Sequence, residues 1–314
     1  MASAIVFAYH DVGVRCLQVL LAHGVRVPLV VTHRDNPAEH IWFDSVAALA
    51  RLHDIATVTP EQPNLPDTVA MLTAVEADFL FSFYYRHMIG PALLASARRG
   101  ALNMHGSLLP KYRGRVPVNW AVIHGERETG ATLHYMVDKP DAGDIVDQQA
   151  MPILPDDTAF DVFRKVTVAA EIVLHRTLPL LIAGKAPRVQ QDLSQGSYFG
   201  ARKPQDGRID WNHPAQIVHD LVRGVAPPYP GAFTSVAGKP LRILRSLRQP
   251  GRRGTYAAPT LFFEGDACLA QCADGSVLRL TDIELDGQRL EPAQLPRLLG
   301  PAPYSLPSRS VSLT

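Results

Sequence analysis

No apolar run in this chain approaches the roughly 18–20 residues needed to cross a bilayer. The apolar N-terminal stretch from Ala4 to Ala8 is too short for a secretory leader and has no basic run before it, so a cytoplasmic protein is expected. Cysteine is scarce, with 3 residues, and the number is odd. Cys268 and Cys272 form C-x-x-x-C with no second pair and no nearby histidine. Neither a disulfide framework nor a metal site is expected, and with Cys16 they read as reduced, structural thiols. Charged residues make up 19% of the chain and net to +1, which leaves no overall field to draw nucleic acid or an anionic membrane surface. A motif is missing as well. A dinucleotide-binding turn would read G-x-G-x-x-G after the first strand, and the chain has Ala8-Tyr9-His10-Asp11-Val12-Gly13 there, which argues against a dehydrogenase.

What is present is enough apolar material for two packed domains: 46% hydrophobic content over 314 residues. A β-prone run at 4–8, helical spacing over 12–23 closing on Gly24, and a second β-prone run at 27–32 make a β-α-β opening, the mark of a parallel, doubly wound sheet. Helices are expected at 44–52, at 91–97, at 117–124, through residue 75 with Asp67 or Thr68 as cap, and at 159–181 with Thr158 as cap. The Gly-, Ser- and Gln-rich stretch 190–206 reads as a linker. Beyond it short β-prone runs follow one another (208–211, 233–236, 240–244, 258–263, 267–272 and 277–285), interrupted by one helix at 215–223. The expected division is 1–203 for a catalytic domain, 204–302 for a small β domain, and 303–314 for a disordered tail rich in Pro and Ser.

The chemistry concentrates in Asn103-Met104-His105-Gly106-Ser107-Leu108-Leu109-Pro110-Lys111-Tyr112-Arg113-Gly114-Arg115. Asn103 and His105 are two apart at the end of a buried strand, so their side chains leave the same face. An amide that can hold an oxyanion and an imidazole that can move protons near neutral pH suit acyl or formyl transfer. The bland alternative for any N-x-H is a pair of turn caps. Further on, Pro140 and Gly143 force a turn that presents Asp141. His23, His33, His53, His124 and His219 show no partner pattern and read as helix-end or surface residues, while His10 and His134 stay ambiguous.

The run N-x-H-x-S-L-L-P-x-x-R-G with the later D-A-G resembles the 10-formyltetrahydrofolate-dependent formyltransferases. Phe7-Ala8-Tyr9-His10-Asp11, Phe81 to His87, Leu108 to Arg115 and Pro230-Gly231-Ala232-Phe233 resemble more closely the formyltransferase part of the bifunctional polymyxin-resistance enzymes, which formylate UDP-4-amino-4-deoxy-L-arabinose for lipid A modification. The resemblance runs from about residue 4 to about residue 300. It implies an α/β fold, a mostly parallel Rossmann-like sheet followed by a smaller OB-like β-barrel. It implies Asn103 as oxyanion stabiliser, His105 as general acid and base, and Asp141 set against the imidazole to favour its charged form. Contacts to 10-formyltetrahydrofolate are implied at His87, Met88, Ile89, Arg115, Val137, Asp138, Lys139, Pro140 and Asp141. Lys111 and Arg113 suit the substrate diphosphate because both recognise phosphate.

Other readings share these residues. A methionyl-tRNA formyltransferase would use its second domain on tRNA, where Lys239, Arg242, Arg245, Arg248, Arg252 and Arg253 form a basic run. A transferase for another nucleotide-linked aminosugar would keep the same motif. A hydrolase would pass the formyl group to water, and a sensor would only bind. The leading expectation is a nucleotide-sugar substrate, with no nucleic acid or membrane partner. The bifunctional relatives continue into a decarboxylase, which here would come from another chain; the oligomeric state, a homo-oligomer included, stays open.

Overall fold

The computed structural model describes residues 1–307. Its contacts divide the chain into two units that do not follow the linear split expected from the sequence: one comprises Met1–Pro117, Glu128–Pro152 and Phe163–Gly200, the other Val118–Arg127, Ile153–Val162 and Ala201 onward. Two short excursions of the first half of the chain therefore belong to the second unit. Sequence composition could not show this, because both excursions are ordinary amphipathic segments.

The first unit is built on β1 (Ser3–Ala8), α1 (His10–Ala22), β2 (Arg26–Val31), α2 (Val46–Leu52), β3 (Ala56–Val58), α3 (Pro66–Thr73), β4 (Phe79–Phe83), α4 (Pro91–Ser96) and β5 (Gly100–His105). It continues through β6 (Arg113–Gly114), past α5 (Pro117–Ile123) to β7 (Glu128–Tyr135) and β8 (Ile145–Pro152), then through α6 (Ala159–Ile182) to β9 (Tyr198–Phe199). The main sheet has the order β3-β2-β1-β4-β5-β7-β8. Its first five strands are parallel, and β7 and β8 add antiparallel. Every residue of β1 and β4 is buried, as a parallel sheet covered on both faces requires. On one face Ile5, Phe7, Leu29, Val31 and Leu80 pack with Leu72 and Leu93 from α3 and α4. Burying each of these side chains stabilises the fold by about 1.5–3 kcal/mol.

Three helix starts differ from expectation. α1 begins at His10, α2 begins at Val46 behind a Ser45 cap, and α3 opens on Pro66, whose missing N–H costs nothing in a first turn, so no Asp67 or Thr68 cap forms. Thr158 does cap α6: its hydroxyl accepts from Asp161 N at 3.2 Å, and the Asp161 carboxylate accepts in return from Thr158 N at 3.0 Å. The winding reverses between β1 and β4. Ligands of such sheets lie beyond the strand C-termini at this point, where Ala8, Phe83 and His105 end their strands.

The second unit is an antiparallel half-barrel. After α7 (Ala215–Gly224) come β10 (Ala232–Val236), β11 (Lys239–Arg253), β12 (Thr260–Glu264), β13 (Ala267–Gln271), β14 (Ser276–Leu285), β15 (Gln288–Leu290), α8 (Leu295–Leu299) and β16 (Tyr304–Ser305). The strand order is β10-β11-β14-β13-β12-β16, with β15 on the free stretch of β14. Residues 208–211 make a single bridge to Phe233 instead of a strand, because Trp211 turns fully into the core and donates from Nε1 to Thr234 Oγ1 at 3.0 Å. Within the expected tail, Tyr304–Ser305 pairs with β12 and Leu306 is buried, so residues 303–307 are ordered; 308–314 lie outside the described residues. Cys16, Cys268 and Cys272 are buried free thiols. Among the described residues no helix is long and apolar enough to cross a membrane.

Candidate functional site

β5 delivers Asn103 and His105 to the C-terminal edge of the sheet, between Ser82 of β4 on one side and β7 on the other. His105 is buried, and its Nε2 lies 2.8 Å from the Tyr112 carbonyl. A carbonyl only accepts, so Nε2 carries the hydrogen there. The other ring nitrogen, Nδ1, faces Asp141 Oδ1 at 3.5 Å. Nδ1 is therefore the nitrogen free to gain and lose a proton within the site.

Asp141 sits in the turn after β7 with φ 52°, a left-handed conformation that the surrounding contacts must enforce. Its Oδ2 accepts from Gly114 N at 2.8 Å. Its Oδ1 is shared by His105 Nδ1 at 3.5 Å, His134 Nε2 at 3.5 Å and the Asn103 amide at 3.4 Å. Burial by itself would raise this carboxyl's pKa. The positive charge of His105, the hydrogen bond and charge of His134, and the Gly114 N–H outweigh it and hold Asp141 well below the usual carboxylate range.

His134 was the ambiguous histidine of the sequence, and the fold gives it a place opposite Asn103 on β7. Its Nδ1 meets the Tyr135 carbonyl at 2.8 Å, and its Nε2 lies 3.2 Å from Asn103 Nδ2. With Nδ1 committed to that carbonyl, Nε2 is the ring nitrogen that faces both the Asn103 amide and Asp141 Oδ1. Strand alternation puts Thr132 and His134 on one face, but only the cross-strand register brings His134 to Asn103.

The loop after β5 is tied from several sides. Thr132 Oγ1 donates to Ser107 O at 2.6 Å and accepts from Gln148 Nε2 at 2.8 Å, while Ser107 Oγ donates to Lys111 O at 2.7 Å. A side chain at Gly106 would run into the Tyr84 hydroxyl, and one at Gly114, where φ is 98°, into the Phe199 carbonyl. The stretch read as a linker turns out to be a strap. Gln191 Nε2 donates to Asp141 O at 3.0 Å and to Gly143 O at 2.6 Å, Ser197 Oγ accepts from Tyr112 N at 2.9 Å, and β9 pairs with β6. Nothing in its composition distinguishes such a strap from a solvated linker.

Beside this cluster, Gln62, Pro63, Asn64, Leu65, Arg86, His87, Met88 and Arg115 line a cleft of about 520 Å³. It gathers His87, Met88 and Arg115 from the expected set. The Ile89 side chain turns into the core instead, and Val137, Asp138 and Lys139 are exposed on the turn leading to Asp141 without lining the cleft. Asn64, which the sequence did not single out, latches the 84–90 loop by donating to Met88 O at 2.9 Å and accepting from Gly90 N at 2.7 Å.

His33 is half-buried. It stacks between Tyr85 at 4.2 Å and His87 at 4.8 Å and accepts from Arg86 N at 3.0 Å; burial, then the charges of His87 and Arg86, lower its pKa to about 4. His219 is likewise buried, within 3.0 Å of Ser246 Oγ and the Pro155 carbonyl. His10, with φ 69°, stacks on Phe43 at 3.9 Å, and burial, then Arg86, lowers its pKa to about 3. Lys111 is exposed, whereas Arg113 is only 9% exposed.

Two family models match the chain: formyl transferase over residues 15–178, and formyl transferase, C-terminal domain, over 202–295. Among solved structures, the N-formyltransferase from Helicobacter canadensis in complex with folinic acid and dTDP-3-aminofucose is similar at TM-score 0.70 and 19% identity, covering 92% of this chain and 100% of that one. WlaRD, a sugar 3N-formyl transferase in the presence of dTDP and 5-N-formyl-THF, is similar at TM-score 0.71 and 19% identity, covering 92% and 98%. HypX from Aquifex aeolicus in complex with tetrahydrofolic acid is similar at TM-score 0.63 and 18% identity; the match covers 93% of this chain but 46% of HypX. At these identities the likeness speaks for the fold.

Proposed function

Because this chain belongs to the formyl transferase family, we propose that it moves a formyl group from 10-formyltetrahydrofolate to the amine of a nucleotide-linked aminosugar, specifically the 4-amino group of UDP-4-amino-4-deoxy-L-arabinose. The observation that carries this reading is the convergence of Asn103, His105 and His134 on one oxygen of Asp141, beside an open cleft. On this reading the product serves lipid A modification and polymyxin resistance, and the reaction runs in the cytoplasm.

The cleft suits a flat ring with an anionic tail. Its volume is in the usual range for small-ligand sites, about 300–1,000 Å³. Pro63, Leu65 and Met88 offer apolar surface, and Arg86 and Arg115 offer charge. His87, Met88, the backbone of Ile89, Arg115 and the turn from Val137 to Asp141 are the folate-holding residues of this proposal. The folate supplies the formyl group. Asn103 donates a hydrogen bond to the formyl oxygen as negative charge builds on it. His105 takes a proton from the attacking amine at Nδ1 and returns one to the departing nitrogen, and Asp141 stabilises the ring while it is charged.

For the tRNA reading, two cations of the basic run of β11 are neutralised within the unit, Arg242 by Glu284 at 3.2 Å and Arg252 by Glu264, and Arg248 donates to Gln216. The test is incubation with 10-formyltetrahydrofolate and UDP-4-amino-4-deoxy-L-arabinose, alongside dTDP-linked aminosugars and methionyl-tRNA. A sugar nucleotide heavier by one formyl group, lost with Asn103→Ala and His105→Ala, is the expected result. Formate and tetrahydrofolate released without modified sugar would mean hydrolysis.

A further inference from the structure

Among the described residues, Arg113 is the residue of the site loop with a buried side-chain donor that has no hydrogen-bond partner. It is 9% exposed, its Nε is buried without a hydrogen-bond partner, and among the described residues its guanidinium has no carboxylate or carbonyl partner. Its backbone is held firmly, with N donating to Ser197 O at 3.0 Å in the β6–β9 pairing. The neighbours on either side anchor the reacting groups: the Tyr112 carbonyl receives His105, and the Gly114 N–H holds Asp141. A cation is thus fixed one residue from both anchors and left without a counter-charge. Burying a guanidinium donor without a partner is costly, and the unpaired Nε–H calls for an acceptor.

Asp141 is not that anion, since its oxygens go to Gly114, His105, His134 and Asn103. Nor does Arg113 line the cleft beside the site, where Arg86 and Arg115 stand. Lys111, two residues before it, is exposed with no ion pair among the described residues, and the contact of Arg115 is a long one, 3.4 Å, to the Arg86 carbonyl. A planar guanidinium binds two phosphate oxygens in parallel, which a lysine cannot do.

We propose that Arg113 is the phosphate-recognition residue for the acceptor, gripping the diphosphate of the nucleotide-linked sugar while its amine lies at Asn103 and His105. This inference rests on the nucleotide-sugar reading above, but its test needs no formyl transfer. UDP and inorganic pyrophosphate are titrated calorimetrically into the full chain and into Arg113→Met and Arg113→Lys, with folinic acid as a control ligand and thermal midpoints recorded without ligand.

The expected result is that Arg113→Met binds UDP and pyrophosphate at least tenfold more weakly than the wild type, Arg113→Lys lies between, and folinic acid binds all three alike. The unliganded midpoint of Arg113→Met is expected to match or exceed the wild type, because a buried donor without a partner, the Nε–H, has been removed. Equal UDP affinity in wild type and Arg113→Met, or no UDP binding by the wild type, would overturn the inference. So would a loss of folinic acid affinity with UDP unchanged, which would assign Arg113 to a carboxylate of the folate tail. Failure of both variants to fold would show a purely structural cation. A wild type that binds UDP through Arg113 yet transfers no formyl group would sink the reading of the reaction and leave this site standing.

Discussion

His134 Nε2 stands 3.2 Å from the Asn103 amide nitrogen, and the opposite ring nitrogen is committed to the Tyr135 carbonyl. The ring thereby packs against the amide and restricts how it can turn. His134→Phe keeps the volume and removes the polar partner of the amide. A displacement of a reacting group by about 1 Å can cost on the order of 10²-fold in rate. We expect kcat to fall by that order with the KM for folate unchanged, as steady-state kinetics would reveal. Asn103→Ala removes the donor itself and should cost about 2.7–4 kcal/mol of barrier.

Asp141 binds its proton more weakly in the folded chain than its ordinary value of 3.8. The stability it contributes is therefore complete above that value and is lost as pH falls toward and through the lower folded value. In Asp141→Asn this loss should be absent. Thermal midpoints of the variant should fall less steeply than those of the wild type between about pH 5 and about pH 2, while formyl transfer is abolished at every pH. Parallel acid profiles for the two proteins would remove the carboxylate from this role.

Gln191 holds two carbonyls of the Asp141 turn from a strap distant in sequence. Gln191→Ala leaves both without their donor, at about 1–3 kcal/mol for a buried group. A lower unfolding midpoint together with a lower kcat is expected, and Gln191→Glu, isosteric but lacking the N–H₂, should behave like the alanine variant. Full activity in Gln191→Glu would show that the turn holds itself.

Gly114 adopts φ 98° with the Phe199 carbonyl in the space a side chain would fill. Gly114→Ala must move either the strap or the N–H that pins Asp141. Left-handed strain in a non-glycine residue costs on the order of 1–3 kcal/mol, and the collision adds to it. Denaturant unfolding should show a loss at least that large, with activity falling further than stability.

The parts of this protein that its sequence by itself determined are those with short-range causes. Alternation placed Asn103 and His105 on one face, because a strand repeats every two residues whatever it pairs with. Apolar period and turn residues likewise marked the β-α-β opening and a second unit of short strands. Asp141 entered through resemblance, since nothing local to its turn points at His105.

Tertiary structure decided the rest. His134 meets Asn103 only through the register of β7 on β5, and a register is a property of two strands. The 191–199 segment has the composition of a linker, yet its backbone groups and one amide clamp the site loop and the Asp141 turn. Arg113 stands out in the sequence with Lys111 for its phosphate-matching chemistry, and only packing shows that it is buried with its Nε unpartnered. The sequence names the groups that can react. Which of them share an oxygen, and which donor is buried without a partner, depends on long-range contacts that exist only once the chain has folded.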